Sequence, residues 1–252
     1  MVDANVITRT VGVSAVYENT RTGTIARLPQ RIAVLAQGEH SKTYETDPVR
    51  VTSPSDVIST LGQRSPAYLM LRELFNVIDA DSVGAAEVTV YPLEEDDSGA
   101  PAVGGIVPSG TASRSAVFQV VVNGIKSEKF TVAAGSVVAA TVILAMITAI
   151  NAVVYMPVIA SNGTTTCTIT SSWYGESANG LHLSVIGDTD AGVVFTITQP
   201  TSGAANPDVS AALNLFGTRH ETLVLNQMEY DDTDTLDALQ TAGEVRWGEL
   251  VK

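Results

Sequence analysis

No lysine or arginine occurs between Phe130 and Thr218, and the charge map around that gap divides the chain into three. Residues 1–97 hold eight basic and fourteen acidic residues, residues 98–206 three and four, and residues 207–252 three and nine. A nearly uncharged segment between two acidic ones reads as a separate unit inserted into an acidic one. Turn formers mark both joints: Glu94-Glu95-Asp96-Asp97-Ser98-Gly99-Ala100-Pro101 before it, Thr201-Ser202-Gly203-Ala204-Ala205-Asn206-Pro207-Asp208 after it. The organisation expected is an arm over 1–20, an acidic unit from 21–97 and 207–252, and an inserted unit over 98–206.

Hydrophobic periodicity gives these units different characters. In the first, Arg31 to Gln37 reads as a short apolar strand, Ser53-Pro54 and Ser65-Pro66 open two helices, and Glu87 to Leu93 returns as a strand. The last segment resumes with helix 208–215, strand 222–226 and helix 235–247, the latter capped by Thr233 or Asp234. Between them, strands are expected at 116–122, 129–132, 164–171, 181–186 and 193–198, with Asn123-Gly124 as a hairpin turn. The uncharged run Val137 to Ile150 falls short of the roughly 20 residues that span a bilayer. Its stripe Ile143, Ile147, Ile150 and Val154 predicts a buried core helix, with Ser136 at its N-cap. The fold class is α+β: an acidic α/β layer interrupted by a β-rich, sandwich-like domain around one buried helix.

Composition excludes more chemistry than it suggests. A net charge of −13 repels phosphate backbones, so nucleic acid is not an expected partner. Cys167, the one cysteine, excludes an intrachain disulfide and a multi-thiolate metal site, and it reads as a buried thiol in a strand. The N-terminus has no apolar core of a secretory signal. His40, His182 and His220 show no helical pairing. Asp231, Asp232, Asp234 and Asp237 suggest calcium, yet counting from Asp232 the sixth and twelfth loop places hold Asp237 and Gly243 instead of Gly and Glu. They read as a helix start. Gly105 and Gly110 have phosphate-loop spacing without its lysine, and read as a linker. No catalytic residue, cofactor, metal or small-molecule ligand is expected; a hydrolase using Asp231 or Cys167 is the enzyme reading set aside.

The order of phrases carries a more specific signal. Gly12-Val13-Ser14-Ala15-Val16-Tyr17-Glu18-Asn19-Thr20-Arg21, Pro48-Val49-Arg50-Val51-Thr52-Ser53, Leu61-Gly62-Gln63-Arg64-Ser65-Pro66 and Val90-Tyr91-Pro92-Leu93 follow one another. Further on come Ser109-Gly110-Thr111-Ala112, Val132-Ala133-Ala134-Gly135, Ala149-Ile150-Asn151-Ala152, Gly203 to Asp208 and Arg246-Trp247-Gly248. Over residues 12–248 this order resembles the tail sheath protein of Mu-like contractile phages. Two departures stand out. Gly175-Glu176-Ser177-Ala178-Asn179 replaces one glycine of that family's G-x-x-G-N. The family's chain also continues for about as long again beyond its Trp-Gly phrase.

The resemblance implies a structural protein, not an enzyme. It implies self-assembly into six-fold rings stacked helically around a tail tube, with tube and baseplate proteins as partners. Its place is the virion tail, assembled in the host cytoplasm. The competing reading is a non-contractile tube, collar or decoration subunit. Alternation in TVGVSAVY, with the family's strand exchange, makes Val11, Val13, Ala15 and Tyr17 an extended arm contacting another subunit. Residues 1–252 alone are expected to remain monomers or small oligomers, and the middle unit to face outward.

Overall fold

The computed structural model describes residues 30–77, 87–219 and 221–250. In chain order the strands are β1 (Arg31–Gln37), β2 (Val49–Val51), β3 (Glu87–Leu93), β4 (Pro101–Ala112), β5 (Ala116–Val122), β6 (Ile125–Lys126), β7 (Phe130–Val132), β8 (Gly135–Ser136), β9 (Val158–Asn162), β10 (Cys167–Tyr174), β11 (Leu183–Gly187), β12 (Val193–Thr201) and β13 (Leu223–Asn226). The α-helices are α1 (Pro66–Val77), α2 (Ala139–Asn151), α3 (Ser210–Asn214) and α4 (Thr233–Leu250). Pro54–Val57 forms only a 3-10 turn.

The α/β layer is a four-stranded sheet in the order β13-β1-β3-β2, with β1 parallel to both β13 and β3 and β2 antiparallel at one end. Six consecutive residues of β1 are buried. That run follows from cover on both faces, as parallel sheets require. Ile32, Val34 and Ala36 pack with Leu61, Ala67 and Leu71 on one side. Ala33 and Leu35 pack with Tyr91, Val209, Ala212 and Phe216 on the other. The two sequence segments meet where Ile32 to Leu35 pair in register with Leu223 to Asn226.

Between β3 and α3 the chain builds two antiparallel sheets, β12-β4-β10-β9 and β11-β5-β6, with β8 pairing β4 and β7 pairing β5. Helix α2 supplies Val142, Ile143, Met146, Ala149 and Ile150 to their core. Each large apolar side chain buried there stabilises the fold by about 1.5–3 kcal/mol. All buried members of that core lie between Ala102 and Val193, and none belongs to the two cores of the α/β layer.

Several local expectations meet the structure directly. Asn123 and Gly124 take φ 45° and 82°, the left-handed pair of a tight hairpin, and Val122 pairs with Ile125 across it. The buried stripe of α2 differs from the expected one, because Ile147 is half-buried and Val154 is 56% exposed while Val142, Met146 and Ala149 face the core. A helix apolar on most sides fits several stripes, and the sheet beneath selects one. Ser136 is not its cap: it lies in β8 opposite Thr111, and Val138 occupies the N-cap with no side-chain bond. The glycine-spaced segment around Gly105 and Gly110 is strand β4, not a linker.

Candidate assembly surfaces

Most of the residues first considered for chemistry have a structural setting. Cys167 is fully buried in β10, and burial pushes its thiol up to about 11. His40 stacks on Tyr174, ring centroids 3.8 Å apart, with its Nδ1 2.8 Å from Glu95 Oε2. His182 is exposed, and His220 lies outside the described residues. Asp232 receives the backbone N–H of Thr235 at 3.1 Å and its hydroxyl at 3.0 Å, so Asp232 rather than Thr233 or Asp234 caps α4. A Cβ at Gly105 would meet Thr166 Cγ2 at 2.6 Å, and Gly110, at φ 99°, lies against the Gly192 carbonyl. Those glycines serve close strand packing. Among the described residues no group of three or more His, Cys, Asp or Glu converges to hold a metal, and no helix is long and apolar enough to cross a membrane.

Polar contacts join the middle unit to the α/β layer. The His40 N–H donates to the Ser172 carbonyl at 2.9 Å. The Ser172 hydroxyl donates to the Arg64 carbonyl at 2.8 Å, and Arg64 Nη2 donates to the Asn151 carbonyl at 3.2 Å. The Arg72 guanidinium sits 4.8 Å from the Tyr155 ring centroid. At the returning joint, Asn206 accepts from the Ser177 N–H at 3.1 Å and donates to Asp232 Oδ2 at 2.8 Å. One carboxamide thus ties the middle unit to the cap of α4.

Asn and Gln side chains recur because the middle unit has so few charges. Among the described residues, every ion pair has both members outside 98–206. In their place, carboxamides bind both backbone groups of single residues: Asn151 those of Ala160, Asn179 those of Gly203, and Gln199 those of Leu183. Gln199 stitches β12 to β11, so the two sheets meet along that seam. Sequence reasoning missed these residues; their only signal was Asn and Gln in a segment poor in charge.

One edge of the α/β sheet contrasts with that stitching among the described residues. Strand β13 pairs only with β1, and no backbone hydrogen bond reaches its outer edge among the described residues. Leu223 on it is 46% exposed and nearby Tyr230 is 90% exposed. An unpaired row of N–H and C=O groups is a template for another strand. The expected arm residues Val11, Val13, Ala15 and Tyr17 lie outside the described residues.

No family model matches the chain. Over 208 residues it is 30% identical to the Mu-like prophage FluMu tail sheath protein of Haemophilus influenzae, a match covering 80% of this chain. The chain is a relative of that tail sheath protein. It spans 40% of the relative's length.

The phrases of the sheath resemblance that fall within the described residues now have positions, whereas Gly12 to Arg21 lies outside them. Pro48 to Ser53 runs through β2 into a turn where Asp56 accepts the Thr52 and Ser53 amides. Leu61 to Pro66 forms the bend into α1, with Gly62 at φ 87° and Arg64 reaching the middle unit. Where the family's second glycine is replaced, Ala178 is fully buried in a 3-10 turn and is not among the positive-φ residues. The methyl therefore fits without strain.

Proposed function

We propose that this chain is a structural subunit of a contractile phage tail sheath, assembling with copies of itself into six-fold rings stacked around a tail tube. The observation that carries the reading is the 30% identity to a phage tail sheath protein over 80% of the chain. Tube and baseplate proteins are its partners, and the virion tail is its place. The chain divides as 21–97 with 207–252 and 98–206, which the disjoint cores and polar seam support. Rigid units joined by extended strands let a polymer exchange contacts while each fold persists, which is what a single contraction stroke demands. Val11, Val13, Ala15 and Tyr17 supply such a strand, and the outer edge of β13 in a neighbour offers it backbone partners.

Antibodies raised against the chain and applied to virions test the reading by electron microscopy. Gold along the whole tail, following the sheath as it shortens, is expected. Label confined to the bare tube, the collar or the capsid would replace it with the non-contractile reading. Deleting residues 1–17 from the complete subunit tests the arm: assembly that proceeds normally would refute an intermolecular strand.

A further inference from the structure

We infer that Asn151 is an edge plug: its side chain closes the outer edge of β9 against pairing with β9 of a second copy of this chain. Strand β9 ends its sheet, in the order β12-β4-β10-β9. The Gly163 N–H donates to the Thr166 carbonyl and the Ser172 N–H to the Pro157 carbonyl, which fixes the alternation of the β9–β10 ladder. Counting inward from both ends places Ala160, opposite Ile169, in a non-hydrogen-bonded pair. The N–H and C=O of Ala160 therefore point away from β10, at the centre of the five-residue edge. Asn151 Nδ2 donates to that carbonyl at 2.8 Å, and Asn151 Oδ1 accepts that N–H at 3.0 Å.

The edge needs such a device because the usual ones are missing. Natural edges carry lysine, proline or an inward charge. Strand β9 reads VIASN, with no charge and no proline, and Ile159 is 41% exposed. Its occupant, were it open, is a second copy. An antiparallel β9–β9 pair centred on Ala160 exchanges the same two groups across a two-fold axis, which makes the contact self-complementary. It would also bring together the units of net charge −1 (three basic, four acidic) rather than the strongly acidic segments. Asn151, at the last position of α2, is held from outside as well, since Arg64 binds its backbone carbonyl.

Asn151→Ala tests the plug, read by amide hydrogen exchange and sedimentation velocity, with protection of β5 amides reporting an intact fold. Ala160 N–H exchange is expected to accelerate by about tenfold, the scale of one lost backbone partner. The variant should also dimerise with rising concentration, and adding Ile159→Lys, which puts a charge on the edge, should return it to the sedimentation of the unaltered chain. A folded Asn151→Ala protein that sediments unchanged, or whose association Ile159→Lys leaves intact, overturns the inference. The unaltered chain provides a separate measurement that needs no variant. Its Ala160 N–H should exchange about tenfold more slowly than that of Asn162, which points outward without a plug. Equal rates would also overturn it.

Discussion

Ile143→Ala probes whether the middle unit stands on its own core. Ile143 is fully buried, within a core drawn entirely from Ala102 to Val193. Removing three carbons from such a site costs about 2–5 kcal/mol, the lost transfer energy plus the cavity left behind. Unfolding entropy near 2.1 cal/mol/K per residue gives the 109 residues of 98–206 about 230 cal/mol/K, so about 3 kcal/mol lowers that unit's midpoint by about 13 °C. The α/β layer shares no buried core residue with it and should melt as before. Calorimetry reads the midpoints, and pulse-labelled hydrogen exchange assigns each to its peptides. Leu35→Ala, at a fully buried site in the layer, should give the reciprocal pattern. One joint transition, moved equally by both substitutions, would refute two separable cores.

Three further outcomes follow from particular contacts. Asn206→Ala removes one bond to a backbone N–H and one to the Asp232 carboxylate, and should destabilise the chain by about 1–3 kcal/mol in urea denaturation; a change within experimental error would show that the joint is not held there. Cys167 should resist thiol reagents at pH 8 while folded and react only on unfolding, because burial raises its thiol to about 11; stoichiometric labelling of the native protein would contradict the burial. Asp56 is held down to about 2 by the Thr52 and Ser53 amides, foremost among its partners. A depressed folded value means that the stabilisation is present above the unfolded value of about 3.8 and is lost as pH falls through about 2. The Ser53 amide resonance should titrate near pH 2, and a midpoint near 3.8 would deny the bond.

How much of this was legible depended on the range of the interaction. The Asn123-Gly124 hairpin needed only two adjacent residues able to take positive φ, so its sequence sufficed. The apolar run of β1 and the alternation in β5 likewise announce strands, because side-chain period is a local property. The charge gap from Phe130 to Thr218 told of a neutral unit, since charge is carried by composition. The β13 edge, unpaired among the described residues, and the Asn151 bonds to Ala160 on β9 had no such local sign. Of the candidate assembly residues, the arm was proposed from alternation in TVGVSAVY together with the resemblance, and it lies outside the described residues.

Tertiary structure decided the rest. Strand β4 contains Gly104, Gly105, Pro108 and Gly110, which locally favour turns, yet it is held extended by β10 on one side and β12 on the other. Gly104 is needed there because the Thr198 carbonyl of β12 lies 2.8 Å from where its Cβ would sit. Which stripe of α2 faced inward was open as long as most of its sides were apolar, and the sheet settled it. The pairing of β1 with β13, and the reach of Asn206 to Asp232, join residues far apart in the chain. Such contacts are set by where the backbone returns, and each carboxamide acquires its role only once a distant N–H and C=O are brought opposite it. Local physics thus fixed periods, turns and charge; the choice of partners belonged to the packed chain.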